Sequence, residues 1–279
     1  MNLRAIITQD KNKRKLLIYL ILVGLLLLTA AFAKHICPYD PNMQNLDEAL
    51  KSPCLQHLFG TDRYGRDVFS RVLVGSTVSI FSTLALVLII SGAGTAIGVS
   101  CGYLRGWLDT IVMRISDICL AFPGLVFALA IAAVLNGGIQ NAVLALAAIS
   151  WPKYARIARS QTLALKTVDF ISAARMAGGS TFKIIIRHIL PNIIGPVLVT
   201  AMLDIGTMMM ELAALSFLGL GAMPPTAEWG SMMSNGRSML QTYPWMVLSP
   251  GAAIFISVVL FNLLGDAVRD YADARNAQK

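Results

Sequence analysis

The chain has 279 residues, of which 56% are hydrophobic and only 14% are charged. Soluble domains carry about 25% charged residues, so this composition excludes an ordinary soluble protein and indicates a membrane protein. The formal net charge of +8 is large enough to suggest a nucleic-acid partner, and the positions of the basic residues decide whether one is needed.

Six apolar blocks run along the chain. Each is close to the roughly 20 residues that a helix needs to cross the hydrocarbon, and the fourth reaches that length only if it continues past Pro152. The sequence therefore predicts an all-α integral membrane protein with six transmembrane helices, at residues 16–33, 72–102, 110–135, 139–151, 192–215 and 246–265.

The basic residues fall on one side of this arrangement. Residues 1–15 carry five basic residues against one acidic residue, and the segment 152–191 carries seven against one. The segment 34–71 is balanced, with five of each sign. Because basic segments stay in the cytoplasm, both termini (1–15 and 271–279) are predicted to be cytoplasmic, with 34–71 as an extracytoplasmic loop and 72–270 as the transmembrane core. The basic excess is topological, and no nucleic-acid partner is required.

The first apolar block has two interpretations. Ala31-Phe32-Ala33, after an apolar run with basic residues upstream, resembles a signal-peptide cleavage site. The run extends over 16–33, which is longer than the 7–15 residues of a signal-peptide apolar region. We therefore interpret 16–33 as the first transmembrane helix.

Cysteine and histidine recur in the predicted extracytoplasmic loop, as His35-Ile-Cys37 and Cys54-Leu-Gln-His57. A disulfide between Cys37 and Cys54 is chemically permitted there. The four side chains also form a legitimate ligand set for a borderline metal ion. Unlinked residues are the first interpretation, with the disulfide and the metal site as alternatives that spacing alone leaves open.

Two features of the apolar blocks concern helix packing. Gly94, Gly98 and Gly102 recur every four residues in the second block, a spacing that lets another helix approach closely. Pro123 lies inside the third block and predicts a kink there, because proline lacks the N–H that a helix interior needs.

Charged residues inside the apolar blocks are expensive and therefore informative. Arg114 and Asp117 lie three residues apart in the third block, so we interpret them as a structural ion pair. Asp204 and Glu211 lie seven residues apart in the fifth block, on one helix face with Met208. These three residues either line a translocation path that attracts cations or take part in internal pairs, and the sequence leaves both open.

The segment Ser172–Pro191 follows the pattern of a short helix, a turn and a second helix lying across a membrane face. It resembles the cytoplasmic coupling loop of binding-protein-dependent ABC importer permeases, in which Glu-Ala-Ala is followed by Gly and later by Ile-x-Leu-Pro. Ser172 stands in place of that Glu, and His188 in place of that Ile. Within a coupling loop near 160–191, the resemblance implies contact with an ATPase by Ser172, Ala173, Ala174, Gly178, Leu190 and Pro191.

Other motifs narrow the resemblance to the dipeptide/oligopeptide/nickel ABC importer permease family. Similar stretches begin at Phe59, Gly65, Ser216, Pro224 and Asn262. Leu203-Asp-Ile-Gly206, followed by adjacent methionines, resembles the nickel-type members most. The resemblance covers nearly the whole chain.

The resemblance implies the type I ABC importer permease fold in a bacterial cytoplasmic (inner) membrane. The chain would form half of a translocation path for nickel, a nickel chelate or small peptides, beside a homologous second permease subunit. Two cytoplasmic ATP-binding subunits and an extracytoplasmic solute-binding protein are the further partners, besides membrane lipid. The sequence contains no Gly-x-x-x-x-Gly-Lys-Ser/Thr phosphate loop. ATP hydrolysis is therefore expected on separate subunits, and neither an enzyme active site nor a cofactor is expected here.

The competing hypothesis is a self-contained channel or secondary transporter. Such proteins usually contain two repeated halves with paired discontinuous spans, and no repeat is visible in the sequence. The motifs favour the importer permease.

Overall fold

The computed structural model describes residues 3–276, with side chains from Asn12 to Ala272. The outermost residues of the predicted cytoplasmic ends, 1–2 and 277–279, lie outside the described residues. Within that range the regular structure is helical, apart from an isolated β-bridge between Thr61 and Asp67. The α-helices are α1 (Leu3–Ala31), α2 (Ala33–Ile36), α3 (Val68–Leu104), α4 (Trp107–Ala121), α5 (Gly124–Val134), α6 (Ile139–Leu165), α7 (Asp169–Met176), α8 (Thr181–Ile184), α9 (Leu190–Phe217), α10 (Trp229–Gly236) and α11 (Trp245–Asn276).

The helices that are long and apolar enough to cross a membrane cover Asn12–Ala31, Val68–Leu104, Thr181–Phe217 and Trp245–Ala272. The pair α4 and α5 makes a fifth if it counts as one bent span. The fourth predicted block does continue past Pro152, because α6 runs through that proline to Leu165. Its second half carries Lys153, Arg156 and Arg159. By length and composition the described residues thus give four or five spans, and six stays a prediction that depends on α6.

The kink predicted at Pro123 is confirmed as a complete break. Helix α4 ends at Ala121, α5 begins at Gly124, and the two helices meet at 98°. Pro123 takes the cap position immediately before α5, where its missing N–H removes no hydrogen bond from a helix interior.

Helices α3 and α6 form the most extensive helix contact in the described chain, and the glycines of α3 explain how. A Cβ on Gly98 would lie 2.2 Å from the carbonyl oxygen of Ala155, and a Cβ on Gly94 would lie 2.6 Å from that of Trp151. Gly102 is similarly tight against α6. The predicted role of these glycines in close helix packing is confirmed.

The buried apolar side chains form two clusters. The larger one lies among the long helices α3, α6, α9 and α11. The smaller one joins the end of α3 to α6, α7, α8 and the start of α9, through Val99, Tyr103, Ala158, Ile171, Ile184, Ile189 and Ile193. Residues 169–191, called segment 169–191 below, are therefore packed directly onto the long helices.

Candidate functional site

Asp204, in the middle of α9, receives two hydrogen bonds from α6. Lys153 Nζ donates to Asp204 Oδ1 at 2.5 Å, and Tyr154 OH donates to Asp204 Oδ2 at 2.8 Å. Both Asp204 and Tyr154 are buried. A buried anion needs such partners, since the desolvation of an unpaired carboxylate is costly. Of the two alternatives that the sequence left open for Asp204, the structure contains the internal pair.

Lys153 differs from its partner in exposure, because 51% of its side chain is accessible against 7% for Asp204. An ammonium group carries three donors, and Asp204 takes one of them. No acceptor for the other two is found among the described residues. About half of the Lys153 side chain is therefore exposed at the surface of α6, with two N–H donors that have no acceptor in the described chain.

The other two residues of the predicted path, Glu211 and Met208, differ in how deeply they are buried. Glu211 lies two turns beyond Asp204 on the same face of α9 and is half-buried. No ion pair of Glu211 occurs within the described part of the chain. Met208, in contrast, is 6% exposed and packs in the core, so it lies inside the chain and does not line its surface.

Arg114 and Asp117 do approach each other, with 3.9 Å between Arg114 Nη1 and Asp117 Oδ2. The closer partner of Asp117 is Arg156 of α6, whose Nη2 donates to Asp117 Oδ1 at 2.6 Å. One turn further along α6, Arg159 donates two hydrogen bonds to the carboxylate of Asp109, at 2.6 and 2.7 Å. These pairs join α4 to α6, so the structural interpretation of Asp117 holds with an additional partner.

Segment 169–191 contains the predicted short helix, turn and second helix. Helix α7 covers Asp169–Met176, and Gly178 follows with a φ of +78°, a backbone conformation that glycine adopts without strain. Helix α8 begins after Ser180, whose side chain accepts a hydrogen bond from Lys183 N. A π-helical turn, Ile185–Ile189, then leads into α9. Leu190 and Pro191 are the first residues of α9, where proline is tolerated.

The two faces of segment 169–191 have different surroundings. Its inner face is held by Ile171 and Ile184, which are fully buried. Ser172, Ala173 and Gly178 are exposed, and Ala174 is half-buried. Two large apolar side chains are also exposed on the outer face, Met176 by 84% and Phe182 by 76%. The described chain thus leaves small and apolar groups of this segment uncovered.

The loop 34–71 does not bring the proposed metal ligands together. His57 lies between two carboxylates, with Nδ1 2.9 Å from Asp67 Oδ1 and Nε2 3.3 Å from Glu48 Oε2. Cys37 and Cys54 are free thiols. Within residues 12–272, no group of three or more His, Cys, Asp or Glu side chains is arranged to hold a metal ion. The prediction of a site formed by His35, Cys37, Cys54 and His57 is therefore wrong, because His57 is engaged by the loop's own acidic residues.

Glu48, which contacts His57, also forms hydrogen bonds with two other residues of this loop. Lys51 Nζ donates to Glu48 Oε1 at 2.8 Å, and the backbone oxygen of Glu48 accepts from Thr61 Oγ1 at 2.5 Å. The hydrogen bond with Lys51, and after it the one with His57, holds the pKa of the Glu48 carboxyl below its ordinary value.

The motif residues 60–71 form hydrogen bonds with one another that hold this part of the loop in a tight turn. Asp62 Oδ1 accepts from the backbone N–H groups of Tyr64 at 2.8 Å and Arg66 at 3.0 Å. Its Oδ2 accepts from Arg66 Nε at 2.7 Å. Asp67 caps α3 by accepting from Ser70 N at 2.7 Å. The chain can turn here because Gly65 adopts a φ of +71°.

The same motif fastens the loop to the helices. Arg71 Nη1 donates to the carbonyl oxygen of Pro41 at 2.8 Å, and Arg71 Nη2 donates to that of Pro225 at 3.4 Å. Trp245 Nε1, at the start of α11, donates to the carbonyl oxygen of Thr61 at 3.2 Å. The loop is thereby connected to both α3 and α11.

The stretch that begins at Pro224 also has an internal role, which the sequence motifs alone did not reveal. Glu228 is 1% exposed and caps α10 by accepting from Gly230 N at 2.9 Å and Ser231 N at 2.8 Å. Ser79 Oγ of α3 donates to the same carboxylate at 3.1 Å. Trp229 Nε1 donates to the carbonyl oxygen of Val72 at 2.9 Å. Glu228 and Trp229 therefore attach α10 to α3.

Comparison with known sequences places this architecture among transport proteins. The family model described as "binding-protein-dependent transport system inner membrane component" matches residues 94–278. The "Glutathione transport system permease protein GsiD" of Escherichia coli O6:K15:H31 (strain 536 / UPEC) is 45% identical over 254 residues, which cover 91% of this chain and 84% of that protein. The protein of the same description from Shigella boydii serotype 4 (strain Sb227) gives the same values.

Solved structures of ABC transporters have a similar fold. An inward-facing conformation of the MetNI methionine ABC transporter aligns with a TM-score of 0.52, covering 68% of this chain and 93% of that chain. An amino acid ABC transporter crystallised with histidines aligns with a TM-score of 0.50, covering 71% and 92%. Each is 20% identical to this chain, so these likenesses bear on the fold alone.

Proposed function

The chain belongs to the family of binding-protein-dependent transport system inner membrane components, and from that premise we propose that it is a permease subunit that imports small peptides. As a family member it is a multi-pass inner-membrane protein with the all-α type I importer permease fold. The observation that carries the substrate proposal is the 45% identity, over 91% of this chain, to permeases described as transporting glutathione. Glutathione is therefore the first substrate to test.

Nickel is the alternative substrate, and the local likeness of Leu203–Gly206 to nickel-type members supports it. The cation-attracting path that would suit nickel depends on Asp204 and Glu211. Because Lys153 offsets the charge of Asp204 at 2.5 Å, only Glu211 is left to attract a cation. Peptides are favoured for this reason as well.

Partners complete the proposed importer. A second, homologous permease forms the other half of the path, and an extracytoplasmic solute-binding protein delivers the peptide. Two cytoplasmic ATP-binding subunits supply the energy, in keeping with a sequence that lacks a phosphate loop.

The ATP-binding subunits are proposed to contact segment 169–191. Small exposed residues, Ser172 and Ala173, allow a close approach to α7. Met176 and Phe182 add exposed apolar area of the kind that anchors an interface. The buried side chain of Ile171 transmits the position of α7 to the long helices that it packs against.

Uptake by cells tests the substrate. The gene is deleted from its host, and the uptake of radiolabelled glutathione, a dipeptide and Ni²⁺ is measured with and without the gene restored on a plasmid. Loss of glutathione or dipeptide uptake, with Ni²⁺ uptake unchanged and with recovery on complementation, is the expected result. Loss of Ni²⁺ uptake alone would replace the peptide proposal with the nickel one.

The matched variants for this experiment are Gly178→Leu and Gly106→Leu. Both glycines have positive φ, +78° and +84°, and a Cβ at either would meet no atom within 4 Å. Both variants force a side chain into a positive-φ backbone, and the ψ of −154° at Gly106 makes it a stringent control. Only the first variant alters segment 169–191. Peptide uptake should be lost in Gly178→Leu and retained in Gly106→Leu.

A further inference from the structure

With α6 as the sixth span that the sequence predicts, the part of the Lys153 ammonium that Asp204 does not contact lies at membrane depth. Lys153 is about 21 Å along α6 from its start at Ile139, within the roughly 30 Å of the hydrocarbon layer. A charge at that depth is costly in contact with lipid, so it faces water or protein. Since 51% of the Lys153 side chain is uncovered by this chain, that side of α6 faces an aqueous path or another subunit.

Asp204 and Tyr154 hold this ammonium in place. Asp204 is buried and accepts from both residues, at 2.5 Å from Lys153 and 2.8 Å from Tyr154. Each oxygen of the carboxylate thereby accepts a hydrogen bond inside the chain. What remains accessible is the exposed side of the ammonium in a fixed position, with two donors free for a ligand.

Glu211 places a negative charge on the same side. It is seven residues after Asp204, so it lies on nearly the same face of α9 and about 10 Å further along the helix. Its side chain is half-buried, and no ion pair of Glu211 occurs among the described residues. An extended tripeptide spans about the same distance between its ends, at up to 3.6 Å per residue.

We propose that Lys153 and Glu211 form a two-charge contact for a zwitterionic small peptide in the translocation path, in which Lys153 binds the peptide's carboxylate and Glu211 binds its amino group. Asp204 and Tyr154 act as positioning residues for Lys153. The inference depends on the proposed function, because only a peptide substrate brings both charges at this separation. The contact is necessarily weak, since a path that binds its substrate tightly traps it.

The test uses the complete transporter reconstituted in liposomes and three forms of one tripeptide: free, amidated at the carboxyl end, and acetylated at the amino end. The sequence of the tripeptide is chosen so that the wild type takes up all three. The first variant is Lys153→Met/Asp204→Asn, which removes the ammonium without leaving a buried carboxylate unpaired. The second variant is Glu211→Gln.

The two variants should respond to different ends of the peptide. In Lys153→Met/Asp204→Asn, uptake of the free peptide should fall about tenfold more than uptake of the amide, as expected for one charged hydrogen bond. In Glu211→Gln, uptake of the free peptide should fall more than uptake of the acetylated form. Lys153→Arg, which keeps the charge, should restore most of the uptake. If the double variant does not assemble, Lys153→Gln, which still carries a donor for Asp204, takes its place with the same expected ratio.

Two negative results have separate meanings. Normal uptake by the wild type, with equal losses for all three peptide forms in the variants, would overturn the two-charge contact and leave the proposed function intact. If the search for such a tripeptide finds none that the wild-type transporter takes up, even in the free form, the proposed function is overturned, and the contact with it.

Discussion

Loop 34–71 and segment 169–191 both carry motifs of the family, but their residues have opposite surroundings. In the loop, the side chains of Thr61, Asp62 and Asp67 are buried and end in hydrogen bonds within the chain. In the segment, Ala173 and Met176 are exposed. A motif whose groups are satisfied internally maintains the fold, whereas a motif whose residues are left uncovered is available to a partner.

The strongest test of this distinction is the pair Gly65 and Gly178, because both have positive φ, +71° and +78°. A Cβ on Gly65 would lie 1.7 Å from the carbonyl oxygen of Asn45, whereas a Cβ on Gly178 would meet no atom within 4 Å. We expect Gly65→Ala to lower the free energy of unfolding by more than about 4 kcal/mol. Gly178→Ala should cost about 1–2 kcal/mol, from its left-handed backbone alone.

Thermal unfolding of the purified variants beside the wild type measures this difference. Gly178→Ala is the matched control, since it introduces the same methyl group at a similar φ. Equal shifts in Tm for the two variants would contradict the assignment of one glycine to the fold and the other to a partner surface.

The next largest effect is expected at the apolar surface of segment 169–191. Met176→Asp introduces a charge where 84% of the side chain is exposed, so the chain itself should fold normally. Binding of the ATP-binding subunits should weaken by about 2 kcal/mol, or roughly thirtyfold, if Met176 is an interface anchor. Titration of the purified subunits against the reconstituted permease measures this affinity.

Leu55→Asp is the control for Met176→Asp. Leu55 is 98% exposed in loop 34–71, on the opposite side of the predicted membrane. The affinity for the ATP-binding subunits should not change in Leu55→Asp. An unchanged affinity in Met176→Asp would show that the exposed apolar surface has no part in that contact.

What the sequence predicted well was local. Pro123 acts through its own missing N–H, and the spacing of Gly94, Gly98 and Gly102 is a property of one helix. The helix–turn–helix of segment 169–191 likewise follows from residues close in sequence. For these features the physical cause lies within a few residues, so a pattern was sufficient to find it.

What the sequence missed depends on pairs that are distant along the chain. Lys153 and Asp204 are separated by 51 residues, and no local pattern around either residue indicates the other. The continuation of α6 through Pro152 places Lys153 beside Asp204. The prediction for Met208 depends on its helix face alone. A helix face also includes side chains that point into the core, and Met208 is one of them.

A smaller effect is expected for single hydroxyl groups, one in the loop and one just before segment 169–191. Thr61 is fully buried, donates to Glu48 O at 2.5 Å and accepts from Lys51 N at 2.8 Å. Thr61→Val should therefore cost about 1–3 kcal/mol of unfolding free energy, because it leaves two partly buried backbone partners without their hydrogen bonds. Thr167→Val, just before α7, removes an exposed hydroxyl and should stay within about 0.5 kcal/mol. Denaturant unfolding in detergent compares them, and equal costs would contradict the greater internal role of the loop.

The smallest effect is expected from Glu48, which lies at the surface of the loop. Its pKa is held below the ordinary 4.5, first by the hydrogen bond with Lys51 and then by that with His57. A lowered pKa means that the folded chain binds this proton less readily than the unfolded chain does. The ionised carboxylate therefore adds stability at pH values above the ordinary pKa, and this stability is lost as the pH falls through the folded-state pKa.

Glu48→Gln should accordingly lower the Tm slightly at pH 7, and the difference from the wild type should disappear in acid, at pH values below the folded-state pKa. Lys51→Met tests the cause, because the hydrogen bond with Lys51 makes the largest contribution to the lowered pKa. In a Lys51→Met background, most of the pH dependence contributed by Glu48 should be absent. A Tm difference between Glu48→Gln and the wild type that persisted or grew in acid would mean that the charge of Glu48 is not what stabilises the loop.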